Sequence, residues 1–470
     1  MKFMSSVVVV LGLASLLAGR PAHADGAFPD SLGIMAPAEH PHDILLATNF
    51  GLVSSIDDGQ TWTYSCEQDR NSFAIQYQLG AAPASRLFAL SAAGLIFSDN
   101  RSCSWGLAAG ALAGTGITDA FPDPTNPNRV LAIATSAGAD GGVTYKVVES
   151  ADGGTTFTLA RYTAAGGDIL TGIESARSAP ATIYLTLVGG GTARVLRLGR
   201  SSDGGANWQI NDLTALGATA RSVRLIAIDP TNAGRVFLRV SDAAGERLVL
   251  SDDAGVTVRS PLVLQGGVMS AFVRLASGAM LVAGKVDVSP VVYRSTDGAQ
   301  TFQAQAAPPT LLGLTARGAI VYGAADNMVE DNAVFTSSDQ GTTWQPLMSF
   351  DQIQAIDTCA KTLCQDDCQM RAGLGQWSAD MCAAVPAPRS VDGGIAPAPD
   401  ASSDAGGLKA DGGAADRPAL TDAGPPAGGA ATGCHCATAS GTTPRPWQPW
   451  AIGLGVAGLW RTRRRRPARG

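Results

Sequence analysis

The sequence predicts an all-β fold, a closed seven-bladed β-propeller, and three observations lead there. An octapeptide of the form S-x-D-x-G-x-T-W recurs seven times. Its copies start 42 to 52 residues apart, the length of one four-stranded blade. Between them lie short apolar runs bounded by glycine, proline, aspartate and asparagine, with no long helical period. The clearest copy is SSDQGTTW from Ser337. The others are SIDDGQTW from Ser55, SADGGTTF from Ser150, SSDGGANW from Ser201, SDDAGVTV from Ser251, STDGAQTF from Ser295 and a worn copy, SDNRSCSW, from Ser98.

Residues 1–24 read as a secretory signal peptide. Lys2 precedes an apolar run from Val7 to Ala18 and the small-residue site Ala22-His23-Ala24, with cleavage expected before Asp25. The apolar core is too short for a retained span, which needs roughly 20 residues. The propeller is expected over 25–356. Its strands include Asp43–Ala47, Arg129–Ile133, Thr182–Leu187 and Arg235–Arg239. Two related segments, Asp123-Pro-Thr-Asn-Pro-Asn-Arg-Val130 and Asp229-Pro-Thr-Asn-Ala-Gly-Arg-Val236, each read as the turn between the first and second strands of a blade. The run Ser349–Ile356 resembles an opening strand. It either crosses to the first blade and latches the ring or adds a short strand to the last blade.

Residue chemistry gives the octapeptide a structural task. The aspartate accepts hydrogen bonds from its own turn, the glycine takes a conformation other residues resist, and the final aromatic returns the chain to an apolar layer. The motif resembles the Asp box of the bacterial neuraminidase repeat, found in sialidases, sortilin-type receptors, xyloglucan hydrolases and photosystem-assembly propellers. That resemblance implies a turn between the third and fourth strands of each blade, at the rim and away from the ligand site. It makes Asp57, Asn100, Asp152, Asp203, Asp253, Asp297 and Asp339 the turn residues. Trp62, Trp105, Phe157, Trp208, Phe302 and Trp344 become the packing aromatics, and Val258 departs from the pattern, so its blade is expected to be the least well anchored. Sevenfold recurrence favours a folding device over catalytic acids or metal ligands.

Eight cysteines fit an oxidising compartment. A Cys66–Cys103 disulfide is expected between neighbouring blades. Cys359, Cys364, Cys368 and Cys382 suggest a small helical knob over 357–383, stapled by two bridges, in preference to a zinc module. Residues 384–433, nearly all Ala, Gly, Pro, Asp and Ser, read as a disordered stalk. The tail over 434–470 joins Cys434-His435-Cys436, an apolar segment from Trp450 to Trp460 and six arginines in the last ten positions. It resembles the C-terminal sorting signal of myxobacterial exported proteins. That likeness implies processing near Cys434 and Cys436, a short transmembrane segment before processing, and display on the surface or outer membrane of a Gram-negative cell.

The net charge of −6, with only five lysines, disfavours nucleic acid. The same balance argues against an assembly factor with a basic face. No G-x-S-x-G, H-E-x-x-H or P-loop appears, and Gly453-Leu-Gly455-Val-Ala-Gly458 lies in the apolar tail, away from any strand. His40 and His42 could in principle hold a metal, but no third ligand is signalled. A sialidase-type site needs an F/Y-R-I-P segment that is missing ahead of Ser55. Only six glutamates are present, and nothing selects a pair such as Tyr322 and Glu174. The expectation is therefore an exported, monomeric, non-catalytic propeller that binds a protein, peptide or glycan on the face away from the boxes. No catalytic, cofactor or metal residue is assigned. The alternative is a secreted sialidase-like glycoside hydrolase.

Overall fold

Each blade's second strand is apolar almost throughout because both of its faces are covered. Ile44–Thr48, the buried half of Val130–Ala137, and Met280–Ala283 within Met280–Val286 are all inaccessible, as expected for strands sandwiched between neighbouring sheets. The computed structural model describes residues 31–66, 76–91, 93–138, 141–190 and 194–385. They form seven blade sheets, each with four antiparallel strands in chain order, the first carrying a fifth, parallel strand, together with a separate two-stranded parallel pair of Ala109–Gly110 with Thr156–Phe157, and apolar clusters fill the spaces between successive sheets. The fold is a seven-bladed propeller. The first strands, Ser31–Met35, Gln76–Leu79, Gly116–Pro122, Ile169–Ala176, Ser222–Ile228, Gly267–Arg274 and Leu311–Arg317, gather around the centre of the ring.

The octapeptides join third to fourth strands. In the copy from Ser337, Asp339 Oδ1 accepts the Thr343 N–H at 2.9 Å and the Ser337 hydroxyl at 2.8 Å, while the Thr343 hydroxyl donates to Oδ2 at 2.7 Å. The Gly341 N–H closes the turn on Ser337 Oγ at 2.8 Å. The turn at Ser251 makes the same bonds through Asp253 despite Val258, so its hydrogen bonding is as complete as in the other copies. In the worn copy Asn100 replaces the aspartate, and its Nδ2 donates to Ser104 Oγ at 2.9 Å, reversing the polarity of one bond. Box turns and first-to-second-strand turns share one end of the ring: the Gly153 N–H reaches Asn128 O at 2.8 Å and the Ala254 N–H reaches Gly234 O at 2.7 Å.

Arginines carry contacts from blade to blade. Arg86 Nη1 donates to Gly153 O at 2.7 Å, and Arg317 binds Asp58 at 2.8 Å and Asp43 O at 2.6 Å, sewing the seventh blade to the first. A flexible lysine presents fewer fixed donors for such bridges.

The hydrogen bonds hold the box carboxylates in their charged form. The Thr343 N–H, followed by its hydroxyl, lowers Asp339 to about 2, and the Asn207 side-chain amide does the same for Asp203. Since these folded values lie below the unfolded one, near 3.9, the stabilisation is complete above about pH 4 and fades as pH falls toward 2. Thermal melts between pH 5 and pH 2 should therefore fall steeply. Asp339→Ala should lower the midpoint at neutral pH, whereas Asp339→Asn, which copies Asn100, should retain most of it; equal losses in the two variants would contradict the hydrogen-bonding role.

The ring is closed by a strap. Ala355–Ile356 pairs in parallel with Thr63 and Tyr64 on the outer edge of the first blade, so the chain after Ser349 crosses from the seventh blade to the first. A helix over Lys361–Gly373 follows, its Cys364 and Cys368 buried. Phe50, Tyr64, Phe350 and Trp377 pack as an aromatic cluster with centroids 5.1 to 5.6 Å apart. Tyr64 donates to Asp367, which also pairs with Arg371 at 3.0 Å.

This strap changes the expected disulfides. Cys66 bonds Cys364 and Cys103 bonds Cys359; only Cys368–Cys382 lies within the helical segment. Cys66 and Cys103 do not bond each other because the segment after the strap offers each its own sulfur, Cys364 from the helix and Cys359 from just before it. The segment is therefore an extension of the first blade's core, with one internal bridge where two were expected.

A second correction concerns the membrane. No helix among the described residues is long and apolar enough to cross a bilayer, so neither a transmembrane segment nor membrane anchoring through it is retained. The apolar stretch from Trp450 to Trp460 lies outside the described residues, as do the signal peptide, most of the stalk, and Cys434 and Cys436. The three bridges are consistent with an extracellular or periplasmic setting.

Candidate active site

Six of the seven first strands shift register against the second strand, for example between Ile117 and Asp119 in the third blade and between Leu170 and Gly172 in the fourth, which shifts again between Ser175 and Ala176. A bulge of this kind re-aims side chains, and here it sets charged groups into an otherwise apolar centre. Asp119 is buried; its Oδ2 accepts the Ile173 N–H at 3.1 Å and its Oδ1 accepts the Ala120 N–H at 3.1 Å. Arg224, from the fifth blade, places Nη2 3.4 Å from Asp119 Oδ1 and 3.4 Å from Gln76 Oε1. Glu174 follows Ile173 on the fourth blade's first strand and is half-buried.

Burial raises both carboxyls above their ordinary range. Burial, followed by the charge of Asp119, raises Glu174 to about 8, against a weaker opposing pull from the Ile228 N–H and Arg224. Glu174 is therefore protonated at neutral pH and can give up a proton. Burial also raises Asp119, but Arg224, two backbone N–H groups and Gln76 all favour its anion. A protonated carboxylic acid beside a second buried carboxyl that pairs with an arginine is an arrangement open to acid–base chemistry.

Gln76 connects this cluster to open space. It lines a cavity of about 290 Å³ with Ile34, Met35, Tyr77, Ala271, Phe272 and Leu314. A second cavity, of about 420 Å³, shares Met35 and Tyr77 with the first and is bounded by Glu39, Phe121, Pro122 and Arg177. Its walls come from the far ends of first strands and the turns that follow, so it opens at the box end of the ring. The expected ligand face was the opposite one. The Asp box helps build this mouth, since Trp105 packs on Tyr77 with centroids 6.2 Å apart.

The other expected residues lie elsewhere. The box aspartates occupy outer turns and bond their own backbone. Tyr322 sits in the core between the seventh and first blades and accepts a hydrogen bond from Arg317 at 2.9 Å, away from Glu174. His42 pairs with Asp58 at 2.6 Å and His40 with Ser85 at 3.0 Å, so the two do not converge. Asp357, Cys103 and Cys359 do converge, their donor atoms lying within 4.8 Å of one another, but both sulfurs are joined in a disulfide. Asp119, Arg224 and Gln76 were not anticipated. For Asp119 and Arg224 a signal was present in the sequence, as charged residues, with Glu174, inside the first-strand runs GITDAFP, ILTGIESA and SVRLIAI of three successive blades; uncharged Gln76, in QYQL of the second blade, carried none.

No protein-family model and no curated protein matches the chain. Similar solved structures include the GH74 enzyme of Niastella koreensis, at 15% identity and TM-score 0.39, covering 67% of this chain and 65% of that one. The GH74 xyloglucanase of Xanthomonas campestris gives 16%, 0.36, 67% and 59%. YCF48 from Cyanidioschyzon merolae gives 11%, 0.45, 66% and 95%. The chain thus spans less than two thirds of either GH74 chain. These propellers are GH74 and YCF48 proteins, so the sialidase-like expectation is withdrawn. The leaning toward a non-catalytic ring is withdrawn as well, given the buried Glu174–Asp119 pair on adjoining first strands.

Proposed function

We propose that this propeller is an exported glycoside hydrolase whose working groups are Glu174 and Asp119. The observation that supports it is a protonated carboxyl held beside a cation-paired carboxylate on adjoining first strands, next to a cavity. In this reading the glycosidic carbon–oxygen bond breaks and its electron pair leaves with the oxygen, which takes the Glu174 proton. Asp119 stabilises the positive charge that develops at the anomeric carbon. Water completes the reaction: its hydroxyl bonds that carbon and its proton returns to a carboxylate. Arg224 and Gln76 favour the Asp119 anion against the effect of its burial.

The test is a panel of fluorogenic glycosides assayed with the secreted full chain. Wild type should hydrolyse at least one, and Asp119→Asn should lose roughly a hundredfold or more in kcat/KM, with circular dichroism unchanged. Turnover of the same substrate by Asp119→Asn at the wild-type rate would refute the assignment.

A further inference from the structure

We infer that the cavity of about 420 Å³ at the box end of the ring is a binding site for a short peptide with free ends, its ammonium group at Glu39 and its carboxylate at Arg177. The two charges carry this. Both residues are exposed and both border the cavity, yet neither has a hydrogen-bond or ion-pair partner among the described residues, and they do not pair with each other. Other arginines at this end of the ring are structural: Arg86 donates to Gly153 O, Arg129 to Pro180 O and Arg317 to Asp43 O, each reaching a neighbouring blade. Arg177 makes no such bridge among the described residues.

Ring order separates the two charges. Glu39 follows the first strand of the first blade and Arg177 that of the fourth, with the second and third blades between them. A single anion or cation would meet one of them and leave the other unmatched, whereas a molecule with opposite charges at its two ends answers both. Between the charges the wall includes Tyr77 from the second blade and Phe121 and Pro122 from the third, apolar surface against which the side chain of a middle residue can lie. Peptide groups also find partners. Gln76–Leu79 pairs only with Leu87–Ser91, so its inward edge is paired to no strand, and such an edge can take an extended peptide through main-chain hydrogen bonds. The volume lies within the range of small-ligand sites. Neither Glu174 nor Asp119 borders this cavity, so the site is independent of the glycosidase reading.

Calorimetry on the secreted full chain tests this with tripeptides in which two alanines flank a phenylalanine, leucine or proline, each prepared with free ends, N-acetylated, and C-amidated. At least one free tripeptide should bind with a Kd below about 1 mM, and either blocking group should weaken it roughly threefold to tenfold. Glu39→Gln should abolish the penalty of acetylation and keep that of amidation; Arg177→Gln should do the reverse. Both side chains are exposed, so both variants should fold as the wild type does, checked by circular dichroism. Failure of every free tripeptide to bind below about 1 mM overturns the inference. Equal affinity for free and blocked peptides does so too, as does a blocking penalty that stays unchanged in both variants. Binding that follows the expected pattern while no glycoside is turned over supports the peptide site and overturns the hydrolytic reading alone.

Discussion

Glu174→Gln should lower glycoside hydrolysis by about 10²- to 10⁴-fold while leaving the fold intact. Glutamine keeps the shape and most of the packing of the protonated acid that the site holds at neutral pH, but it has no proton to give. In the wild type, kcat/KM should decline as pH rises through about 8, where Glu174 loses its proton. The residual activity of the variant should lack that limb. Stability carries the same signature with its sign fixed by linkage. The folded value of Glu174 lies above the ordinary 4.5, so between about pH 4.5 and pH 8 the folded state binds more protons than the unfolded one, and stability falls as pH rises. Glu174→Gln removes that slope. Relative to wild type, the variant should therefore be more stable at pH 9 than at pH 4. A variant with a wild-type rate, or with the alkaline limb intact, would show that the proton comes from another group.

Opening the strap should produce the largest change in stability. Cys66–Cys364 and Cys103–Cys359 close loops of 298 and 256 residues, and a cross-link of that span restricts the unfolded chain by about 5 kcal/mol in the chain-entropy description. Either bridge alone still holds the ends together, so Cys66→Ser with Cys364→Ser should cost less than the removal of all four cysteines. The quadruple variant should lose about 5 kcal/mol in urea unfolding, a large share of the stability of a typical domain. Cys368→Ser with Cys382→Ser, which opens a loop of only 14 residues, should cost about 3 kcal/mol and leave the blades joined. A quadruple variant within 1 kcal/mol of wild type would mean that the parallel pairing of Ala355–Ile356 and the aromatic cluster around Trp377 close the ring unaided.

The ring was legible because its construction repeats. Seven octapeptides, each with its own hydrogen bonds, announce blade length and strand number without reference to anything distant in the chain. The strap was half legible: the likeness of Ser349–Ile356 to an opening strand pointed to the first blade. The cysteine pairing was not legible, since it depends on where the Lys361–Gly373 helix rests, and that is fixed by packing on Phe50 and Tyr64 some 300 residues away. The cluster of Asp119, Glu174 and Arg224 shows the opposite weakness of repeat reading. Asp119, Glu174 and Arg224 each occur once, in strands whose apolar neighbours identify them as core, and their meeting is a property of the closed ring. Glu174 could be named among six glutamates but not chosen. The burial and the neighbouring charge that distinguish it exist only after the blades assemble.

The central claim is that Glu174 is a neutral acid at physiological pH. With six glutamates in the chain, carboxyl-labelled glutamate gives a carbon NMR spectrum simple enough for the Glu174 resonance to be identified by its loss in Glu174→Gln. That resonance should titrate near pH 8. Titration near the ordinary 4.5 would contradict the assignment of Glu174 as the proton donor.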